Sequence, residues 1–238
     1  MNRVLIFAGG KGTRMKLNDI PKQFLEINGK SIIIHTISRF EKCKDVDDVV
    51  VVCIAGWIDE LNRQIKNNGL TKVSKVIAGG ETGFDSRIIG LEYMDKTKQS
   101  DDDIILIHDG VRPIITLELI SENIKCAKKN GNAITMANAT ETIIYTKNNP
   151  HQIINREYCL LARAPQTFKL KNIYNHYKKA VEDNKTDIID SASLAYYYGE
   201  KLNYVIGPQE NIKVTTAIDY YAVSGIMNSL DENMKIFK

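Results

Sequence analysis

Short apolar runs alternate with amphipathic stretches along the chain, and the period of each run predicts its element. Residues 3–8 contain the unbroken apolar run Val-Leu-Ile-Phe-Ala and predict a buried strand. Residues 31–40 set Ile33, Ile34, Ile37 and Phe40 on one helical face, with Ser31 placed to cap it. The β-branched run within residues 48–55 predicts a strand covered on both faces. Residues 57–68 read as a helix stopped by Gly69. Strands follow at 73–78, 103–108 and 133–136, separated by helices at 85–94 and 117–129. The region 141–163 then breaks the rhythm. Strand-like residues 142–146 and 152–155 flank the turn Lys147-Asn148-Asn149-Pro150, which predicts a hairpin added to the sheet as an arm. Helices at 169–183 and 191–198, a strand at 202–206 and a helix from about Ala217 complete the pattern.

This order implies an α/β fold: a Rossmann-like, mostly parallel sheet with helices on both faces, plus the β-hairpin arm. No repeat or linker divides the chain, so residues 1–238 read as a single domain with an arm at about 141–163. In such sheets ligands sit beyond the carboxyl ends of the strands. Two polar clusters fall there: residues 9–14 after the first strand, and His108-Asp109-Gly110 after a later one.

Composition excludes several classes. A net charge of +3, with both signs mixed along the chain, offers no basic stripe for nucleic acid. No apolar run approaches the roughly 20 residues that span a bilayer, and the first strand is too short for a signal-peptide core. Cys43, Cys53, Cys126 and Cys159 form no Cys-x-x-Cys pair and no zinc pattern, which predicts reduced thiols and a cytoplasmic protein without a membrane anchor.

The first cluster carries the chemistry. Gly9-Gly10-Lys11-Gly12 directly follows a strand, where glycines let backbone N–H groups approach an anion. A dinucleotide loop would need glycine where Met15 stands, and Gly12-Thr13-Arg14 does not match the end of a Walker loop. Lys11, Arg14, Lys16 and Lys22 lie beside the glycines. Backbone donors with fixed positive charge point to a phosphate site, where glycines alone would suggest only a tight turn.

The whole pattern, Ala8-Gly9-Gly10-x-Gly12-x-Arg14-Met15 followed by Pro21-Lys22-Gln23-Phe24-Leu25, resembles the signature of the cytidylyltransferases that make CDP-methylerythritol and CDP-ribitol. Five further segments resemble that family in its own order. They are Gly79-Gly80 with Asp85-Ser86, His108-Asp109-Gly110-Val111-Arg112-Pro113, Glu141-Thr142-Ile143, Arg156 with Ala164-Pro165-Gln166-Thr167-Phe168, and Asn211-Ile212-Lys213-Val214-Thr215.

The resemblance implies attack of a polyol phosphate on the α-phosphorus of CTP, with release of pyrophosphate. It implies that Arg14, Lys22 and Lys213 are catalytic and stabilise the charge gathered in the transition state. It assigns Phe7, Ala8, Gly9, Gly10, Gly12, Gly80, Glu81, Asp85, Ser86 and Gly110 to the nucleotide. Asp109, Thr142, Arg156 and Lys213 fall to the second substrate, and Asp109 also to Mg²⁺ or another divalent cation. The arm is implied to reach into the other subunit of a homodimer, where Thr142 and Arg156 complete the neighbour's site. His108 has two readings, a group near the nucleotide or a core histidine. Trp57 reads as helix packing rather than a base-stacking platform.

Three departures bear on the pockets. Gly83 stands where relatives usually carry arginine, and Arg87, one helical turn onward, could substitute. Gly110 replaces a usual alanine or serine, and Arg163-Ala164 precedes Pro165-Gln166 where threonine is usual. The stretch 21–40, Trp57-Ile58, Val111-Arg112-Pro113 and residues 211–216 look closer to the ribitol-phosphate branch. The expected acceptor is therefore D-ribitol 5-phosphate, feeding a teichoic-acid or capsule polymer. The alternatives are 2-C-methyl-D-erythritol 4-phosphate and a non-catalytic nucleotide-binding relative.

Overall fold

The side chains of the first strand, β1 (Asn2–Ala8), alternate between two apolar layers. Val4, Ile6 and Ala8 point into one and Leu5 into the other. The computed structural model describes residues 1–10, 20–147 and 150–231, and every structural statement below concerns those residues. A short antiparallel pair, β2 (Glu26–Ile27) and β3 (Lys30–Ser31), leads into α1 (Ile32–Lys42). Ser31 takes the N-cap position, but its hydroxyl bonds Gln64 instead of the helix, so the expected side-chain cap is not made.

Next come β4 (Asp48–Cys53), α2 (Ile58–Asn67), β5 (Val73–Ala78), α3 (Gly83–Lys96), β6 (Ile104–Asp109), α4 (Leu117–Asn130) and β7 (Asn132–Asn138). Gly69, at φ 62°, turns the chain after α2, as its position in the sequence predicts. The hairpin strands β8 (Ile143–Tyr145) and β9 (Gln152–Ile154) pair with each other in a separate two-stranded sheet and do not extend the main one. The chain ends with β10 (Leu160–Lys169), α5 (Leu170–Glu182), α6 (Ser191–Tyr197), β11 (Tyr204–Ile206) and α7 (Ala217–Asp231).

Seven strands form the main sheet in the order β11-β7-β10-β6-β1-β4-β5. All neighbours are parallel except β10, which runs antiparallel to both β6 and β7. The helices cover both faces. Ile33, Ile37 and Phe40 of α1, Leu61 of α2 and Ile120 of α4 bury one face. Phe84 and Leu91 of α3, Ile173 and Tyr177 of α5, and Leu194 of α6 bury the other. Helix α7 packs instead on the turns around Val111 and Val214.

Strand β10 does not follow from the sequence pattern. Pro165 lies inside it, and a proline lacks the N–H a ladder requires. The strand accommodates it with a register shift between Ala162 and Gln166. Its ten residues carry Arg163, Ala164 and Gln166 to the carboxyl end of β6.

Candidate functional site

The carboxyl ends of β1 and β6 lie side by side, with Phe7 opposite Asp109. Gln23 anchors the segment that follows β1: its amide donates to the Ala8 carbonyl at 2.6 Å, and it is almost fully buried. Lys22 is thereby held beside the end of β1. Arg14 and Gly12 lie outside the described residues.

The two glycine loops meet at one side chain. A Cβ on Gly9 would come within 3.0 Å of the Ser86 Oγ, and one on Gly79 within 2.8 Å. Ser86 is buried in the first turn of α3. That turn is fixed by a capping box, in which Thr82 and Asp85 exchange side-chain and backbone bonds. Gly9, Gly79 and Ser86, far apart in sequence, thus line one corner, next to Gly80 and Asp85. Glu81 and Gly10 are exposed at its rim.

Gly110 explains one departure. A methyl there would approach the Ala8 Cβ to 3.2 Å and the Phe7 carbonyl oxygen to 3.3 Å, tighter than ordinary contact. Its own carbonyl accepts from the Thr36 hydroxyl at 3.1 Å. The backbone runs too close to β1 for a larger residue to enter without displacement.

Asp109 is the electrostatic centre. Its side chain is buried, Arg112 Nε donates to Oδ2 at 2.7 Å, and Lys213 Nζ meets Oδ1 at 2.7 Å. Burial pushes its carboxyl up, but Lys213 and Arg112 outweigh that and hold it well below the usual carboxylate range. Lys213 is the exposed member of the group, with 40% of its side chain accessible. Its position is secured by a web of arginine contacts. Arg112 and Arg163 both donate to the Asn211 carbonyl, at 2.8 and 3.1 Å, and Arg163 also reaches the Gln209 carbonyl at 2.6 Å. The Asn211 amide donates back to the Ala164 carbonyl at 2.7 Å. Burial, and then Arg112 beside it, lower the affinity of Arg163 for its proton.

His108 is fully buried under this cluster, edge-on to Phe40, with Nε2 3.2 Å from the Arg112 carbonyl. Burial pushes it down to about 4, so it is neutral and belongs to the core. Trp57 packs against Phe24 with ring centroids 4.5 Å apart, as expected of helix packing.

A cavity of about 200 Å³ opens beside Asp109. Phe7, Arg87, Asp109, Arg112, Arg163 and Lys213 form part of its wall, and Gln166, Asp190 and Ser191 add further polar groups. Gln166 bridges two elements, donating to Asp190 at 3.1 Å and accepting from the Ala192 backbone at 2.9 Å. Of the expected second-substrate residues, Asp109 and Lys213 meet here; Thr142 and Arg156 do not line this cavity. Both are exposed on or beside the arm, where Arg156 donates to the Thr140 carbonyl at 2.7 Å. The sequence reading gave no role to Arg112, Gln166 or Asp190. Arg112 and Gln166 sat within quoted motifs, so position in a motif was the available signal.

Among the described residues no group of three or more His, Cys, Asp or Glu side chains could hold a metal ion alone. No described helix is long and apolar enough to cross a membrane.

Comparison with known proteins agrees with this geometry. Residues 3–229 match the family described as IspD, 2-C-methyl-D-erythritol 4-phosphate cytidylyltransferase. A ribitol-5-phosphate cytidylyltransferase of Streptococcus agalactiae serotype III is 43% identical over 239 residues, covering 100% of this chain and 99% of the relative. A 2-C-methyl-D-erythritol 4-phosphate cytidylyltransferase of Clostridium botulinum is 36% identical over 221 residues, covering 92% and 96%. The crystal structure of 4-diphosphocytidyl-2C-methyl-D-erythritol synthase from Anaerococcus prevotii superimposes with a TM-score of 0.80 at 24% identity, over 95% of each chain, and supports the fold.

Proposed function

We propose, from the premise that this chain belongs to the 2-C-methyl-D-erythritol 4-phosphate cytidylyltransferase family, that its acceptor is D-ribitol 5-phosphate. The chain is a nucleotidyltransferase that moves a cytidylyl group from CTP to a polyol phosphate, and the reading of a non-catalytic relative is set aside. The observation that carries the choice of acceptor is the full-length likeness to ribitol-5-phosphate cytidylyltransferases, at 43% against 36% for the methylerythritol enzyme.

The chemistry follows from charge. A phosphate oxygen of the acceptor forms a bond to the α-phosphorus of CTP, the bond from that phosphorus to the bridging β-oxygen breaks, and pyrophosphate leaves. Negative charge accumulates at the phosphorus, so catalysis is mainly positioning and fixed positive charge. In this reading Arg14 and Lys22 stabilise that charge at the end of β1. The corner around Ser86, with Gly80 and Asp85, takes the cytosine. Lys213, exposed and held by the arginine web, takes the acceptor phosphate. Asp109 orients Lys213 and Arg112.

The residues present fit a divalent cation. Asp109 stays ionised, and each of its oxygens keeps a lone pair beyond its bond to a cation. Mg²⁺ held by Asp109 together with phosphate oxygens would neutralise the triphosphate, in keeping with its habit of taking few protein ligands.

The arm is read as a dimerisation element that delivers Thr142 and Arg156 to the site of a second copy. Its exposed apolar side chains, Ile144, Ile153 and Tyr158 among them, support this. The product suits a cytoplasmic step that supplies CDP-ribitol to a teichoic-acid or capsule polymer.

The test is direct. The protein is incubated with CTP, Mg²⁺ and either ribitol 5-phosphate or 2-C-methyl-D-erythritol 4-phosphate, and pyrophosphate is followed. Faster release with ribitol 5-phosphate is expected. A preference for the methyl-branched acceptor would reverse the assignment.

A further inference from the structure

Arg87 is a buried cation that makes no ion pair among the described residues. It projects from α3, is only 7% exposed, and lines the cavity that also holds Asp109 and Lys213. Its Nε has no hydrogen-bond partner among the described residues. Its guanidinium carbon lies 5.6 Å from the centre of the Phe7 ring, which steadies the charge without using its donors. A buried donor left unpaired is destabilising, so such a group is normally kept only where something else pairs it.

The space around it is also specific. Gly83 has no side chain, and the heavy atom nearest to a Cβ built there is Arg87 Nη2, at 3.9 Å. Arg87 therefore lies on the side of α3 toward which a side chain at 83 would point. The cavity it faces also contains Gln166, Asp190 and Ser191, all able to meet hydroxyl groups. Among the described residues, Gly9, Gly10, Gly79, Gly80 and Ser86 do not line this cavity.

We infer that Arg87 binds a hydroxyl oxygen of the acceptor and selects an unbranched alditol phosphate over a methyl-branched one. This rests on the proposed ribitol 5-phosphate reading and deepens it. Five carbons in a line, each bearing oxygen, present an acceptor atom wherever the guanidinium can reach. 2-C-Methyl-D-erythritol 4-phosphate keeps three hydroxyls but lacks the fourth that the longer chain carries, and its added methyl accepts no bond, so a donor placed for that fourth hydroxyl is left unpaired. Sites built to bond a substrate hydroxyl reject analogues that lack it much more strongly than apolar pockets reject an added methylene. The same residue could instead serve the nucleotide in place of an arginine at 83. Its cavity, shared with Asp109 and Lys213 rather than with Ser86, argues for the acceptor.

The experiment measures kcat and KM for wild type, Arg87→Met and Arg87→Lys with CTP and each of the two acceptors. Melting curves and CTP binding serve as checks on folding. Arg87→Met keeps the volume of the stem and removes the donors. The expected result is a fall of about 10- to 100-fold in kcat/KM for ribitol 5-phosphate, chiefly through its KM. The KM for CTP stays within about twofold, the methylerythritol phosphate value changes by less than about threefold, and Arg87→Lys recovers part of the loss. If wild type prefers ribitol 5-phosphate but the variant's ratio between acceptors is unchanged, the role of Arg87 is overturned and the acceptor reading survives. A loss confined to the KM for CTP overturns it in favour of the nucleotide. A wild type that prefers methylerythritol phosphate overturns both.

Discussion

The cavity beside Asp109 and the hairpin arm both carry residues that the resemblance ties to substrate, yet they are built in opposite ways. In the cavity the charged groups around Asp109 hold one another: Asp109 is held by Lys213 and Arg112, and the Lys213 segment by Arg163 and Asn211. On the arm, Thr142 and Arg156 are exposed, and Ile153 and Tyr158 leave 76% and 85% of their surface open. Half of the site is therefore preorganised within one chain. In the proposed reading the other half sits on the arm, whose exposed apolar surface suits an interface. The contrast teaches that preorganisation can be divided. The charge around Asp109 is locked in the sheet, and under the proposed dimer the charge of Arg156 would be carried to a second copy on an extension.

The sharpest way to break this comparison is to disable each half separately. Lys213→Ala and Arg156→Ala are each expected to lower turnover by about 10²–10³ without unfolding the protein. Equal amounts of the two variants, dissociated and reassociated together, should recover roughly a quarter of wild-type activity, because half the dimers are mixed and each mixed dimer has one intact site. A mixture no more active than its components would mean that the arm serves its own chain.

A smaller effect tests the locking. Arg163→Met removes the side-chain donor to the Gln209 carbonyl and leaves that of Asn211 to Arg112, and the KM for the acceptor should rise about tenfold while kcat changes less. Arg163→Lys should restore part of this, since an ammonium can still reach a carbonyl. A fall in kcat at constant KM would instead put Arg163 in the chemistry itself.

The smallest effect concerns the far end of the Lys213 segment. Asp219 accepts from the backbone N–H groups of Thr215 and Thr216, at 2.8 and 2.7 Å. Burial raises its carboxyl, but these bonds outweigh that and leave it below its ordinary value. Its stabilisation is therefore complete above the unfolded-state pKa and is lost as the pH falls through the lowered folded value. Asp219→Ala should cost about 1 kcal/mol at neutral pH, by analogy with a lost helix cap. Melting temperatures should converge with wild type as acid protonates the native carboxylate.

Much of this was legible in the sequence, for identifiable reasons. The strands β1, β4 and β6 are covered on both faces, so they read as unbroken apolar runs. Asp109 and Lys213 stood in contiguous motifs whose order could be matched. Strand β10 was missed because Pro165 argues against a central strand, and only the tertiary pairing reveals the register shift that admits it. The arm was placed correctly as a hairpin, but its separation from the main sheet depends on long-range geometry that the local pattern does not encode. Ser31 looked like a cap because its position is right, and Gln64, 33 residues on, claims its hydroxyl. The cavity wall was the least readable part. Arg87, Arg163 and Asp190 come from three separate segments, and only the sheet order brings them together.

That order also has a consequence for how the chain is made. Strand β7 pairs only with β10 and β11, both of which follow it in sequence. During vectorial synthesis the ribosome therefore releases β7 and the open edge of β6 before anything exists to cover them. Exposed strand edges invite pairing with other chains, and such partly built sheets are the species that holding chaperones intercept. Residues 160–169 end this interval by joining the two edges at once. The second edge of β7 stays open until residues 204–206 arrive, so a nascent chain stalled just before residue 160 should be more aggregation-prone than one released after residue 206.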